Sequence, residues 1–143
     1  MMTTTIEKGD ITDAMVLAAC LRARYVVLKP VSVRHRYDLV IDRGKGFERV
    51  QCKTGRLVRG SIRFRAHSSQ AHWKKGRHSY RGQIELFGVY CPDNDRCYLV
   101  PVDDVPETIA NLRVEATKNK QATKVRFAAK YEMSNARAAK ALW

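Results

Sequence analysis

Between Thr4 and Ala23 the apolar residues Ile11, Ala14, Met15, Ala18 and Leu21 recur every three or four positions, the spacing that lines one face of an α-helix. Leu17 and Cys20 add apolar surface on a neighbouring face, so the pattern predicts a long N-terminal helix buried against a sheet. Thr4-Thr5-Ile6-Glu7 marks its start, because Thr4 can cap the first turn while Glu7 reaches back to it.

Beyond Ala23 the period changes to two. Arg24 to Lys29 reads as a strand ended by Pro30. In Tyr37 to Asp42, Tyr37, Leu39 and Ile41 fall on one face and Asp38, Val40 and Asp42 on the other. Arg43-Gly44-Lys45-Gly46 supplies a turn, and Phe47 to Thr54 returns as the partner strand. Ser61 to Ala66 is a further strand, and the polar, basic residues 67–82 read as a surface excursion. Glu85 to Tyr90 and Cys97 to Val100 form a hairpin around Pro92-Asp93-Asn94-Asp95. A short helix within Val102 to Ala110, a strand at Leu112 to Ala116 and a helical turn at Arg126 to Glu132 complete the pattern, with a basic, loosely attached tail from about residue 133. The expectation is one α/β (α+β) domain over residues 1–143, its helix packed on a mixed, largely antiparallel sheet.

Charge adds the partner class. Lys and Arg total 27 against 14 acidic residues, a net charge of +13, and an excess of that size draws polyanions by releasing their counterions. Nucleic acid is the leading partner, with a ribosome-associated or merely soluble basic protein as the alternative. No apolar run reaches membrane-spanning length, and MMTTTIEKGD has neither the basic nor the apolar stretch of a secretory signal. A cytoplasmic protein, nucleoid-associated or virus-encoded, is expected.

The cysteines Cys20, Cys52, Cys91 and Cys97 have no CxxC spacing, which argues against structural zinc. Cys91 and Cys97 flank the hairpin turn and could oxidise, although reduced packing thiols suit a chain without a secretion signal.

The hairpin carries the candidate chemistry. With Gly44-Lys45 as a two-residue loop, Asp38 lies opposite Gln51 with Cβ atoms about 5 Å apart, unless a bulge shifts the register by one. A carboxylate and an amide oxygen so placed could share one divalent ion at about 2.1 Å. Lys53, diagonal to Asp38, could hold an attacking water or offset phosphoryl charge. A solvated polar face with a weak ion pair is the alternative these residues leave open.

Lys8-Gly9 with an acid four residues on, then RYDLVID, then VQCKTGR, is an order that resembles the PD-(D/E)XK nuclease superfamily. The longer run through SYRG, VYCP and VPVDDV is similar to the small homing endonucleases encoded in group I introns, over roughly residues 4–132. The resemblance implies that core fold, Mg2+ as cofactor with Mn2+ as a substitute, and double-stranded DNA as substrate. It implies Asp38 as the metal-binding aspartate, Gln51 in the place of the second acid, Lys53 as the motif lysine and the Cys52 backbone carbonyl as a further ligand. Asp13 matches the acid of helix one, with Glu7 and Asp10 as rivals. Tyr37 stands where the superfamily name has Pro. Gln51 removes a negative charge and weakens ion binding, yet the intron branch also uses Gln there.

Arg56, Arg59, Arg63 and Arg65 continue from the QxK strand, Arg63 and Arg65 sharing a face. The stretch HWKKGRHSYRG interleaves Lys74, Lys75 and Arg77 with Trp73 and Tyr80, which suits DNA backbone or groove contact, a charged surface loop being the alternative. His67, His72 and His78 lack metal-ligand spacing and fit phosphate contact or solvation.

Three functional readings follow. The first is an Mg2+-dependent endonuclease; one site per chain implies a homodimer or larger oligomer to cut both strands, and the resemblance suggests dimers paired into a homotetramer. The second is a Holliday-junction resolvase, which normally keeps a true acid where Gln51 stands. The third is a non-catalytic basic DNA-binding protein on the same fold.

Overall fold

The computed structural model describes residues 2–32, 34–69, 77–116, 119 and 125–133. Helix α1 spans Thr5–Arg22. Its start is the capping box expected from sequence: Glu7 N–H donates to Thr4 Oγ1 at 3.1 Å and Thr4 N–H to Glu7 Oε2 at 2.7 Å. The strands that follow are β1 (Val26–Leu28), β2 (Leu39–Asp42), β3 (Phe47–Thr54), β4 (Arg56–Val58), β5 (Ser61–Arg65), β6 (His67–Ser69), β7 (Arg77–Ser79), β8 (Leu86–Cys91), β9 (Arg96–Pro101) and β10 (Ile109–Arg113).

They form a five-stranded sheet in the order β1-β2-β3-β8-β9, a three-stranded sheet β10-β5-β4 and a two-stranded β6-β7. The large sheet is antiparallel except where β3 and β8 run parallel, Val50 beside Leu86 through Thr54 beside Tyr90. Two cores result. On one face α1 contributes Val16, Ala19 and Cys20 against Leu39, Ile41, Val50, Cys52 and Leu99. On the other, Ile62 and Phe64 of β5 with Ala110 and Leu112 of β10 pack against Phe87, Val89 and Val100. Covered on both sides, β8 is buried along its whole length, as expected of a central strand with a parallel neighbour.

The helix turns a different face inward from the one its apolar spacing predicts. Ile11 and Leu21 are exposed, while Thr12, Val16, Ala19 and Cys20 are buried. Small residues win because the helix lies close over β8: a Cβ built on Gly88 would stand 2.6 Å from Val16 Cγ1. Bulky Ile11 and Leu21 have no room at that separation.

Other departures are local. Val102–Asp104 is only a 3-10 turn, and β10 begins three residues earlier than the predicted Leu112 strand. Pro106 prevents the helix from continuing, and Ala110 and Leu112 alternate inward against β5. Residues 67–82 are less of a surface excursion than expected, since His67 and Tyr80 at its two ends are buried. All four cysteines are buried free thiols. Cys97 sits opposite Tyr90 and Cys91 opposite Arg96, so the two thiols point to opposite faces of the sheet and into different cores. Among the described residues no helix is long and apolar enough to cross a membrane.

Candidate active site

The β2–β3 hairpin has the register that a Gly44-Lys45 loop demands: Asp42 pairs with Phe47, Ile41 with Glu48, Val40 with Arg49 and Leu39 with Val50. At Asp38 the ladder slips by one. Asp38 N–H donates to Val50 O at 2.8 Å, so Asp38 and Leu39 both lie against Val50, the arrangement of a β-bulge. Asp38 is therefore not the cross-strand partner of Gln51 that a regular ladder gives. Its carboxylate turns instead to the next residue along, and Oδ2 accepts the Cys52 N–H at 2.8 Å.

Helix α1 brings Asp13 to the same place. Ligand atoms of Asp13, Asp38 and Cys52 all lie within 4.8 Å of one another. Burial, then the neighbouring Asp38 charge, pushes the Asp13 carboxyl up to about 6. Burial also raises Asp38, against the opposing pull of the Cys52 N–H and of the Lys53 and Lys29 charges. The Cys52 thiol is pushed up by burial and by both carboxylates and so stays protonated. Of the helix-one rivals, Glu7 is committed to the helix cap and Asp10 does not join the cluster.

Cys52 points into the helix-side core, so strand alternation sends Gln51 and Lys53 to the opposite face. Gln51 Nε2 donates weakly to Cys52 O at 3.4 Å. Lys53 Nζ donates to His67 O and Tyr80 Oη, each at 3.2 Å. Thr54 Oγ1 meets Thr12 Oγ1 at 2.6 Å, which ties the strand end to α1. Gly55 follows because nothing larger fits: a Cβ there would stand 2.7 Å from Ile62 Cγ2.

Two clefts open at these residues. One, of about 740 Å3, is lined by Lys8, Lys53, Arg56, Arg63 and Arg65 together with Thr54. The other, of about 190 Å3, exposes Asp13 and Asp38 beside Lys29, Ser32 and His35. The acids open into the smaller cleft and Lys53 with the arginines into the larger one.

The sequence profile described as PD-(D/E)XK endonuclease matches residues 3–134. The chain belongs to that family. Among solved structures, a bacterial homing endonuclease, I-Ssp6803I, superposes with a TM-score of 0.68 at 23% identity, over 91% of this chain and 89% of that one. It shows that this PD-(D/E)XK endonuclease has the same fold as that enzyme. No curated protein matches the chain.

Within this nuclease fold the motif residues fall as follows. Asp13, Asp38 and Cys52 converge, with Gln51 and Lys53 leaving the same stretch of β3. Arg56, Arg63 and Arg65 join Lys53 in the basic cleft. Arg59 does not; it sits at the β4–β5 turn with φ 50°, its carbonyl accepting from Arg113 at 3.2 Å. Tyr80, expected at a DNA-facing surface, is only 5% exposed and faces Lys53 instead. His67 is buried as well, its Nδ1 3.0 Å from Thr108 O. Trp73, Lys74, Lys75, His72 and the tail beyond Met133 lie outside the described residues, as does the side chain of Arg77.

Sequence reasoning missed Lys29, Ser32 and His35 beside the acids. No spacing signal could have found them, because the segment after β1 reaches the acids only through the fold. The pairing of Lys53 with Tyr80, 27 residues apart, was equally out of reach.

Proposed function

We propose that the chain is a divalent-metal-dependent endonuclease that hydrolyses phosphodiester bonds in double-stranded DNA, of the homing-endonuclease kind, with Mg2+ as its ion and Mn2+ as a substitute. One observation carries this reading. The Asp13 and Asp38 carboxylates converge beside the Cys52 thiol, while the adjacent Lys53 lines a cleft with Lys8, Arg56, Arg63 and Arg65. A cation site and a polyanion site thus meet along one strand.

The two carboxylates suit a hard divalent ion, while the protonated Cys52 thiol beside them would not be a ligand. Two crowded carboxylates whose charged forms are disfavoured are relieved by a cation between them. Asp38, the Gln51 amide oxygen and the Cys52 carbonyl would hold the ion, with Asp13 assisting. Gln51 Nε2 faces the Cys52 carbonyl, so its amide turns over to present Oε1. A bound Mg2+ supplies Lewis-acid stabilisation of phosphoryl charge and a more acidic water. Lys53 places a positive charge beside the reacting phosphate and orients the nucleophilic water. Arg56, Arg63 and Arg65 neutralise flanking phosphates. Each chain has one such site, so cutting both strands calls for a homodimer or larger symmetric assembly.

The test is cleavage of duplex plasmid and of a synthetic four-way junction, each with Mg2+, Mn2+ or chelator. The expected result is metal-dependent cutting of the duplex that Asp38→Ala abolishes. A wild type that cuts no DNA with either ion overturns the enzyme and leaves a basic DNA-binding protein. Preference for the four-way junction replaces the homing type with a resolvase of branched DNA.

A further inference from the structure

We propose that Tyr80 is a positioning residue that aims the Lys53 ammonium into the basic cleft; the inference rests on the nuclease reading and deepens it. A lysine ammonium has three N–H donors and a flexible four-carbon stem. Left alone, such a group samples many rotamers, and a charge that must meet a reacting phosphate gains little from being nearby only part of the time. Here two donors are fixed, one on His67 O and one on Tyr80 Oη, both at 3.2 Å. Two anchors from different segments define where the third N–H points, and Lys53 lines the cleft that also holds Arg63 and Arg65.

The two anchors are themselves held. The Tyr80 ring meets Phe87 edge-on at 5.6 Å and 90°, and the Arg36 guanidinium lies 4.0 Å from its centroid. Lys53 Nζ lies 4.8 Å from the same centroid, so the ring attracts the ammonium as well as binding it through oxygen. Backbone bonds from Gln83 and Ile84 to Tyr80 O, at 3.0 and 3.2 Å, fix the main chain behind the ring. The His67 carbonyl is placed by its own ring, buried and bonded to Thr108 O at 3.0 Å. A tyrosine buried this well needs a partner for its hydroxyl, and among the described residues the motif lysine is that partner.

The informative variant is Tyr80→Phe, which keeps the ring, its contact with Phe87 and both cation contacts, and removes only the oxygen. In single-turnover cleavage the rate is expected to fall about tenfold, the equivalent of one hydrogen bond to a charged group, with DNA affinity and Tm unchanged. In a Lys53→Ala background the same change should have no further effect. A Tyr80→Phe enzyme that cuts at the wild-type rate overturns the proposal, as does an equal loss in the presence and absence of Lys53. A second readout needs no cleavage: the 15N-labelled Lys53 ammonium, assigned by its loss in Lys53→Arg, should give an exchange-protected NMR signal in the wild type that broadens away in Tyr80→Phe. An unprotected ammonium in the wild type, or one unchanged by the variant, also overturns it. If protection behaves as expected while no DNA is cut, the nuclease reading fails and the positioning of Lys53 stands.

Discussion

Asp38 Oδ2 accepts the backbone N–H of Cys52 at 2.8 Å, so the carboxylate is a strut of the hairpin as well as a candidate ion ligand. Asp38→Asn keeps an acceptor oxygen in place and removes the charge. It should fold with near wild-type stability and cut DNA on the order of 10³-fold more slowly, the several kcal/mol an ion contributes. Asp38→Ala also strands the Cys52 N–H, at a cost of about 1–3 kcal/mol. Urea unfolding beside cleavage rates separates the two; equal stability of the Asn and Ala variants would refute the strut.

Asp13 makes the metal-free protein lose stability as pH rises through the mildly acidic range. Its carboxyl is raised from 3.8 to about 6 in the folded state, so the folded protein holds that proton more tightly than the unfolded chain. Stability is then greatest below the unfolded value and is lost as pH rises through about 6. Thermal melts with chelator should show Tm falling across that window, a slope that Asp13→Asn reduces, Asp38 being raised as well, and that Mg2+ flattens. A Tm that climbs over the same range contradicts the assignment.

Arg63 and Arg65 lie on β5 and line the basic cleft. If they neutralise phosphates, the Arg63→Ala, Arg65→Ala double variant should lower the slope of log K against log salt by about 2. Lys53→Ala should weaken binding far less than it slows cutting. Fluorescence anisotropy from low to physiological salt measures both, and an unchanged slope in the double variant moves the DNA elsewhere.

Gly88 and Gly9 make opposite predictions. At Gly88 a Cβ meets Val16 at 2.6 Å and Val50 at 3.0 Å, so Gly88→Ala should lift α1 from the sheet and cost about 1–3 kcal/mol. Gly9 is a helical residue with nothing within 4 Å of an added Cβ. There Ala should stabilise by about 0.5–1 kcal/mol. Chemical denaturation of both variants checks the pair.

Much of this was legible because it is local. The helix cap, the β2–β3 register and the return of the chain through Gly44 are written in neighbouring residues, and so is the spacing of Gln51 and Lys53. The inward face of α1 was not, because Ile11 and Leu21 outrank Ala19 in hydrophobicity and only the closeness of Gly88 reverses that order. The slip at Asp38 was foreseen only as an option, since alternation cannot reveal an extra residue against Val50. The place of Tyr80 was out of reach because an aromatic among cations looks the same in sequence whether it is exposed or turns inward to a half-buried lysine.

The parallel join of β3 to β8 has a kinetic meaning. The hairpin bearing Asp38, Gln51 and Lys53 can form early from nearby residues, but it gains its second neighbour only when a strand more than thirty positions later arrives. Closing that distance is slow compared with forming a hairpin. Tyr80 lies just before β8, so Lys53 gains its anchor only in that late step. A chain still emerging from the ribosome would carry the whole motif without a competent site.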